Sequence, residues 1–366
     1  METYARELIP ALLAEGRDVR LTAFVSREAA ETEGPWREIP FVRVPVRARR
    51  RAEWVWGEQK LLPPLAAKEG VDVVHSLAST APVRGAFRRV VTIQDLIYRI
   101  YPEAHSGLNS VGMRLLVPLA ARSSHRIIVT SANTRNDLES LLHVPAEKVD
   151  VVPLGVRVSD VSLPVSELDL RHRHDLGDRP ILLAASAKRP HKNLVRLLDA
   201  LALVPVGRRP VLVLPGYPTP HEEELRAHAA AMGIEGDTRF LGWIPPAELE
   251  GFYQAAAGFI FPSLYEGFGL PVLEAMARGV PVACSDRASL PEVAGDAALL
   301  FDPEQARAIA QAIETLVADP VERERLRRAG LQRASLFTWS ATARGTLDSY
   351  ERALESGLAS AAYRSP

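Results

Sequence analysis

One stretch in the second half of the chain constrains the fold more than any other, since it joins an apolar run to a glycine turn and a helix start. Residues 258–261 are apolar and predict a short buried strand, whereas Pro271 predicts a helix that extends to residue 278, because proline is favoured at the first helical position. Between them, Gly267 and Gly269 lack side chains, so backbone amides can approach an anion closely. The stretch therefore predicts a strand, a glycine loop and a helix N-terminus, which together suit a phosphate.

Two carboxylates bracket this glycine loop. Glu266 precedes it, and Glu274 lies in the first turn of the predicted helix. A carboxylate can accept two hydroxyls at once, as a sugar diol requires, so Glu266 is a candidate for holding a hexose and Glu274 for holding a ribose. The alternative is that both are ordinary acids near a helix N-terminus, where the dipole favours them. For Glu274 alone that alternative is the better interpretation, but it does not explain the whole stretch.

Residues 266–274 read Glu-Gly-Phe-Gly-Leu-Pro-Val-Leu-Glu, and with the Ala-Met-Ala-Arg-Gly-Val-Pro-Val that follows they resemble the signature of glycosyltransferase family 4. The resemblance extends from Tyr4 to about Tyr350. It implies an α/β protein of GT-B fold, in which two Rossmann-like domains face each other across a cleft and a C-terminal helix crosses back to the first domain. It also implies that Glu266 positions the donor sugar for catalysis. The donor diphosphate would be bound by four backbone groups, those of Gly267, Phe268, Gly269 and Leu270.

Length and composition agree with two globular domains. The chain has 366 residues, more than one hydrophobic core usually serves, and 47% of them are apolar. A formal net charge of -1 gives no reason to expect nucleic-acid binding. The single cysteine, Cys284, lies in an apolar run and is expected in a core. No apolar run approaches the ~20 residues of a membrane helix, and charged residues interrupt the N-terminus where a signal peptide would be apolar, so a cytoplasmic protein is the simple expectation.

Strand-type apolar runs alternate with helical patterns in both halves of the chain, which predicts parallel α/β sheets. The polar region at residues 154–180 is expected to connect two domains. We therefore expect an acceptor domain at residues 1–160, a nucleotide-sugar domain at residues 161–340 and a closing helix at residues 341–366. The predicted strands are residues 19–25, 41–46, 71–75, 90–93, 127–130, 149–152, 181–185, 211–214, 239–242, 259–261 and 280–285. The predicted helices are residues 4–15, 108–122, 133–142, 194–203, 222–232, 247–256, 271–278, 305–317, 321–335 and 340–354.

A basic segment follows the strand predicted at residues 181–185. The sequence His-Lys-Asn centred on Lys192 resembles the family's Arg-Lys-Asn, which implies that Lys192 binds the donor diphosphate. The family's second cation, six residues earlier, falls at Ser186, and Lys188 is expected to compensate for its absence. The alternative is a solvated basic loop that caps a helix. Beside a diphosphate site, charge-assisted binding favours the first interpretation.

The segment Gly-Trp-Ile at residues 242–244 follows another predicted strand. The resemblance implies that this loop holds the nucleobase through backbone groups near Ile244. An equally weighted alternative for Trp243 is a buried aromatic residue that closes a turn.

The first half carries a segment, Val-Thr-Ile-Gln-Asp-Leu at residues 91–96, that resembles the family's Thr-x-His-Asp at the cleft. Gln94 replaces the histidine and cannot titrate, so it is excluded from proton transfer but can position a sugar. In the retaining mechanism the leaving phosphate is the expected base. Asp95 is expected either to contact the donor sugar or acceptor or to cap the turn. His75, at the end of an earlier strand, is expected to be structural.

Basic and aromatic residues cluster at residues 47–56. Arg47, Arg49, Arg50 and Arg51 precede Trp54 and Trp56. Such a segment could rest weakly on an anionic membrane or hold a phosphorylated acceptor. A solvated loop followed by an amphipathic helix is the preferred interpretation.

The resemblance as a whole implies a retaining hexosyltransferase that uses a nucleotide diphosphate sugar and a saccharide or lipid-linked acceptor in polysaccharide or glycolipid assembly. The segment at residues 91–96, followed by Tyr101 and Pro102, looks most like mannosyl- and rhamnosyltransferases of polysaccharide assembly, so GDP-mannose is the first donor expected and a UDP-hexose the second. No metal or other cofactor is expected. Two rivals stay open: a nucleotide-sugar epimerase of related fold, and a non-catalytic or impaired sugar-nucleotide-binding relative.

The beginning of the chain departs from the family. Family members begin with a strand and a paired-glycine loop, and only then reach a helix like the one predicted at residues 4–15. Met1 falls where that loop should end. Either the natural protein is longer, which is the preferred hypothesis, or the chain is a truncated relative with impaired catalysis.

Overall fold

The chain divides into two compact units. The computed structural model describes residues 2–102, 108–158 and 163–362. Unit 1 comprises Met1–Gly155 with Thr338–Pro366, and unit 2 comprises Val156–Phe337. Both units are α/β with parallel sheets, which confirms the predicted fold class. The domain boundary expected at residues 160 and 161 lies outside the described residues.

Unit 1 contains two separate parallel sheets. Strands β3, β4, β5 and β6 form one sheet in that order, and β1 pairs with β2 in the other. Because parallel strands are buried on both faces, they need nearly continuous apolar runs, as in β5, where Ile127, Ile128 and Val129 are all inaccessible to solvent. The strands of unit 1 are β1 (Ala23–Val25), β2 (Phe41–Arg43), β3 (Val73–Ser76), β4 (Arg88–Ile93), β5 (Arg126–Val129) and β6 (Val149–Val151).

Short and long helices cover these strands. One turn of π-helix, Gly57–Leu61, links α3 to α4. Leu138 of α7 and Val117 of α6 pack against one face of β4 and β5. The helices of this part of unit 1 are α1 (Glu2–Ala14), α2 (Arg27–Glu31), α3 (Arg51–Trp56), α4 (Leu62–Lys68), α5 (Ile97–Ile100), α6 (Leu108–Ser123) and α7 (Ala132–Leu142).

Unit 2 is built on one continuous sheet of six parallel strands in the order β12-β11-β10-β7-β8-β9. The chain starts in the middle with β7, moves outward to β9, and returns to the other side of β7 with β10. The strand at Ala298–Phe301, β12, was not predicted from the sequence. An apolar run of four residues is too short for its periodicity to distinguish a strand from a helix. The strands are β7 (Ile181–Leu183), β8 (Val211–Leu214), β9 (Thr238–Phe240), β10 (Ala256–Phe261), β11 (Val282–Ser285) and β12 (Ala298–Phe301).

The helices of unit 2 include two that the sequence did not predict, α8 at Glu167–His174 and the short α13 at Leu290–Ala294. Helix α8 lies within residues 154–180, the expected connection, and Ser166 caps it by accepting a hydrogen bond from the amide of Asp169 at 3.2 Å. Only Leu170 of this helix is buried, so its pattern looks like a polar linker. The helices are α8 (Glu167–His174), α9 (Leu194–Leu203), α10 (His221–Ala231), α11 (Pro246–Ala255), α12 (Leu270–Ala277), α13 (Leu290–Ala294), α14 (Ala306–Ala318) and α15 (Pro320–Ala334).

The closing helix α16 (Trp339–Ala362) belongs to unit 1. Ala353 packs against Val90 and Ile128 of the larger sheet, and Trp339 lies 6.1 Å from the ring of Tyr4 on α1. The C-terminal helix therefore packs on the N-terminal unit, as expected, and it completes one face of that unit's core.

Candidate functional site

The strand order of unit 2 fixes where a ligand is expected to bind. Ligands of open parallel sheets bind beyond the carboxyl ends of the strands, at the point where the strand order reverses. In unit 2 that point lies between β7 and β10, which are neighbours in the sheet although β8 and β9 lie between them in sequence. The loops after these two strands carry Lys192 and Glu266.

The loop after β7 is fastened to the loop after β10. Asn193 adopts a left-handed conformation with φ 57°, and its side-chain amide donates to the carbonyl of Pro262 at 3.2 Å and to that of Pro303 at 2.7 Å. The carbonyl of His191 accepts from the amide of Leu264 at 2.8 Å. Lys192 lies between His191 and Asn193. The hydrogen bonds of these two neighbours therefore hold Lys192 next to the start of the glycine loop.

Lys192 and Glu266 form an ion pair at this edge of the sheet. Lys192 Nζ lies 2.5 Å from Glu266 Oε1, and the two side chains are 15% and 14% exposed. Lys192 Nζ also lies 5.2 Å from the ring centre of Phe261, at the end of β10. The structure thus brings together Lys192, which the sequence analysis assigned to the diphosphate of the donor, and Glu266, which it assigned to the hexose of the same donor. An ammonium suits a phosphate, and a carboxylate suits sugar hydroxyls.

The glycine loop is held rigidly at the start of α12. Gly269 has φ 117°, and a Cβ there would lie 2.7 Å from Leu290 Cδ2. The buried hydroxyl of Ser289 lies 2.9 Å from the carbonyl oxygen of Glu266 and 2.6 Å from that of Phe268. The loop from Gly267 to Leu270 therefore adopts one shape, with the N-terminus of α12 at its end, as an anion site requires.

Glu274 lies one turn into α12. Burial raises the pKa of its carboxyl group, whereas the charge of Arg278 and a hydrogen bond with Tyr253 lower it. Arg278 in turn forms an ion pair with Glu250 at 2.8 Å. Sequence reasoning assigned no role to Tyr253, Glu250 or Arg278, although Arg278 lies in the quoted signature at residues 275–282, because their contacts join α11 to α12.

Lys188 is inaccessible to solvent. Its ammonium donates to the carbonyl oxygens of Gly216 and Leu241, both at 2.9 Å, and lies 3.5 Å from Glu222 Oε2. Burial lowers the pKa of Lys188, and Glu222 opposes that shift. Because the ammonium is buried and bonded to protein groups, this placement disfavours a direct contact between Lys188 and a diphosphate. The expectation that Lys188 compensates for the cation missing at Ser186 stays an untested prediction.

Ser186 lies on the loop after β7, which also carries Lys192, whereas Ile244 lies on the loop after β9. The amide of Ser186 donates to the carbonyl of Pro215 at 3.2 Å, and the amide of Gly216 donates to the carbonyl of Gly242 at 3.1 Å. Ile244 is half-buried. Trp243 is 59% exposed, so the alternative of a buried aromatic residue closing the turn is wrong.

The candidate residues of unit 1 lie after β4. Asp95 Oδ1 accepts from the amide of Ile97 at 3.0 Å and so caps the turn into α5. The backbone carbonyl of Gln94 lies 3.4 Å from the hydroxyls of Thr130 and Thr134. The Gln94 side chain is half-buried, and its proposed role toward a sugar stays a prediction.

His75 lies between two hydroxyls inside unit 1. Its Nδ1 is 2.8 Å from the hydroxyl of Tyr350, and its Nε2 is 2.7 Å from that of Thr92. Burial lowers the pKa of His75 to about 3, so the ring is neutral at physiological pH. This arrangement accords with a structural role that ties α16 to β3 and β4.

The basic and aromatic segment is partly neutralised. Arg50 lies 3.2 Å from Glu53, and the amide of Arg47 donates to the same carboxylate at 3.0 Å. Trp56 is 52% exposed. Within the described ranges, no helix is both long and apolar enough to cross a membrane.

The fold and the site together define a class of protein, a glycosyltransferase with GT-B architecture. The family model of glycosyltransferase family 4 matches residues 1–160, and that of glycosyl transferases group 1 matches residues 167–333. The chain belongs to this glycosyltransferase family, as the resemblance of its glycine loop implied.

Similar proteins agree with this assignment. The O-antigen chain mannosyltransferase B of Escherichia coli is 33% identical over 267 residues, which cover 72% of this chain and 70% of the relative. The MMP alpha-(1->4)-mannosyltransferase of Mycolicibacterium hassiacum is 33% identical over 243 residues, which cover 64% of this chain and 56% of the relative. Among solved structures, sucrose-phosphate synthase of Thermosynechococcus elongatus superposes with a TM-score of 0.74 at 23% identity, covering 97% of this chain and 93% of that one.

Proposed function

We propose that this glycosyltransferase moves a hexose, mannose first among the candidates, from a nucleotide diphosphate sugar to an acceptor hydroxyl with retention of anomeric configuration. The observation that carries the proposal is the Lys192–Glu266 ion pair beside the glycine loop, at the point of unit 2 where the strand order reverses. The two mannosyltransferase relatives support mannose, and hence GDP-mannose as donor ahead of a UDP-hexose.

In the proposed reaction, the bond between the anomeric carbon and the diphosphate oxygen breaks, and a bond from the same carbon to the acceptor oxygen forms on the same face. The acceptor proton passes to the leaving phosphate, so no protein side chain has to act as base. Negative charge develops on the diphosphate in the transition state. Lys192 and the backbone from Gly267 to Leu270 stabilise that charge, which is the kind of preorganised electrostatic contact that accelerates such reactions most.

The remaining candidates take supporting roles. Glu266 accepts hydrogen bonds from hydroxyls of the donor hexose, and its ion pair with Lys192 orients the carboxylate. Glu274 accepts the ribose hydroxyls, and the backbone near Ile244 contacts the base. In unit 1, Gln94 and Asp95 contact the sugar or the acceptor. No metal or other cofactor takes part in this proposal.

The acceptor is proposed to be a saccharide or a lipid-linked saccharide, handled in the cytoplasm or at the inner face of the membrane. The exposed Trp56 and the arginines beside it support a weak contact with an anionic surface. The buried Cys284, whose pKa burial raises to about 12, accords with a reducing compartment.

Calorimetric titration with GDP and UDP, followed by transfer assays with GDP-mannose and UDP-glucose, tests the proposal. We expect wild-type protein to bind one diphosphate, Lys192→Met to weaken that binding about 10-fold or more for a lost charge-assisted contact, and Lys68→Met, an exposed lysine on α4, to leave it unchanged. Proton NMR of the product should show the anomeric configuration of the donor. Binding without turnover would favour a non-catalytic relative, and an inverted product would contradict retention.

A further inference from the structure

Lys188 is a buried charge to which the proposed reaction gives no role. Its side chain is inaccessible to solvent, although it lies four residues before Lys192 in the same loop after β7. Leucine or methionine could fill this position without the cost of removing a charge from water. A buried lysine is useful where its three N–H donors hold separate parts of the chain together.

The ammonium of Lys188 joins three elements at the carboxyl edge of the sheet. It donates to the carbonyl of Gly216, in the loop after β8, and to that of Leu241, directly after β9, both at 2.9 Å. Its third neighbour is Glu222 on α10, whose Oε2 lies 3.5 Å away. Because the backbone of Lys188 belongs to the loop after β7, this one side chain fastens three consecutive loops and a helix to one another.

The same loops also meet backbone to backbone. Gly216 has φ 141°, and a Cβ there would lie 2.0 Å from the carbonyl oxygen of Ser186. The amide of Gly216 donates to the carbonyl of Gly242 at 3.1 Å, and the hydroxyl of Thr219 donates to the carbonyl of Lys188. The loops after β7, β8 and β9 therefore pack as one unit around the buried ammonium.

The carboxylate that balances the charge of Lys188 is itself held in place. Glu222 is 12% exposed, and its Oε1 lies 2.7 Å from Arg226 Nη2. Arg226 donates to the carbonyl of Phe240 on β9 at 3.2 Å, and its guanidinium lies 4.7 Å from the centre of the same residue's ring. Helix α10 is thereby tied to β9, so the ammonium has a counter-charge at a fixed position.

We propose that Lys188 is a positioning residue that fixes the distance between the part of the site that holds the diphosphate and the part that holds the nucleobase. The inference rests on the proposed function, which assigns the diphosphate to Lys192 and the base to the backbone near Ile244. Lys188 precedes Lys192 by four residues, and its ammonium holds the carbonyl of Leu241, three residues before Ile244. A nucleoside diphosphate spans both parts, so it binds more tightly when their spacing is already set. Pyrophosphate occupies one part only and gains nothing from that spacing.

The test compares two ligands by calorimetry: whichever of GDP and UDP wild-type protein binds more tightly, and pyrophosphate, whose affinity is measured by displacement of that nucleotide. We expect Lys188→Met to weaken binding of the nucleotide about 5- to 10-fold and binding of pyrophosphate by less than about twofold. Lys192→Met should instead weaken both ligands alike. Lys148→Met is the matched control in unit 1, since that ammonium also donates to two carbonyls, at 2.7 and 2.8 Å, and it should change neither affinity.

The ratio of the two affinities decides, because a general loss of structure would act on both ligands. If Lys188→Met weakens both ligands alike, or neither, or if Lys148→Met lowers the ratio as much, the positioning role is overturned and the proposed function stands. If wild type binds no nucleoside diphosphate, the proposed function itself fails. Circular dichroism confirms folding. If Lys188→Met does not fold, Glu222→Gln, which removes the counter-charge of the ammonium, should lower the ratio about threefold, and an unchanged ratio would overturn the inference.

Discussion

The carboxyl edges of the two larger sheets differ in the chemistry they present. In unit 2 the edge carries an ion pair with little exposure, Lys192 with Glu266. In unit 1 the same edge carries His75, which lies uncharged between two hydroxyls, and Asp95, which caps the turn into α5. A buried charge is tolerated only with a partner or a ligand of opposite charge. The difference agrees with the proposal that unit 2 binds the diphosphate of the donor.

The two units also differ in the continuity of their sheets. Unit 2 has six hydrogen-bonded strands in a row, whereas unit 1 has a pair and a set of four. Phe24 of β1 packs near Val74 of β3, yet within the described residues β1 pairs with β2 alone and β3 with β4 alone. Within the described part of the chain, unit 1 therefore has four edge strands, β1, β2, β3 and β6, whereas unit 2 has two, β9 and β12.

The largest effect should come from the charged edge of unit 2. Glu266→Ala should lower kcat by about 10²–10³-fold, because a preorganised contact to the reacting sugar is lost, while affinity for the nucleoside diphosphate should change less than threefold. Steady-state kinetics together with calorimetry measure both quantities. Glu235→Ala, an exposed glutamate before β9, is the control. Equal losses of affinity and turnover would place Glu266 on the diphosphate instead.

The buried lysine of unit 2 should matter for stability. Lys188→Met should lower the free energy of unfolding by about 2–4 kcal/mol, because the change leaves the carbonyls of Gly216 and Leu241 and the carboxylate of Glu222 short of a partner. Urea denaturation measures the change. Lys68→Met is the exposed control, and a loss no larger than the control's would mean that water replaces the ammonium.

Unit 1 should be the acid-sensitive half. The pKa of His75, about 3 when folded, lies below its ordinary value of 6.5, so the unfolded chain binds more protons between these values. Stability is therefore full above pH 6.5 and is lost as pH falls toward 3, by about 2 kcal/mol from pH 7 to pH 5. His75→Gln should flatten that part of the urea-denaturation profile. His172→Gln, at an exposed position of unit 2, should leave the profile unchanged.

The smallest effect concerns the surface of unit 1. Wild-type protein should bind vesicles of anionic lipid weakly at low salt, and Arg49→Ala with Arg51→Ala should reduce that binding by about 1 kcal/mol per charge. Sedimentation at low and high salt measures it. Absence of binding at low salt would leave residues 47–56 as a solvated loop.

Sequence reasoning succeeded where local pattern and local structure coincide. The stretch from Gly258 to Glu274 is contiguous, so its strand, glycine turn and helix could be predicted from residue types alone. Apolar runs likewise located β8 at its observed bounds. The family resemblance then added the two-unit architecture.

What was missed depends on contacts between distant parts of the chain. Leu241 is 53 residues from Lys188, so nothing local shows that this lysine is buried rather than facing a ligand. Tyr253 looks like an ordinary core residue of α11 until Arg278 is seen beside it. Helix α8 was not predicted, because it buries a single residue, Leu170, and one apolar position shows no helical periodicity in the sequence.

A crystal structure of the protein with its nucleoside diphosphate tests the central claim most directly. The account predicts a phosphate oxygen within hydrogen-bonding distance of Lys192 Nζ and of the backbone between Gly267 and Leu270, with the ribose hydroxyls on Glu274. A nucleotide bound to unit 1, or bound to unit 2 with its diphosphate away from Lys192 and the glycine loop, would contradict the account.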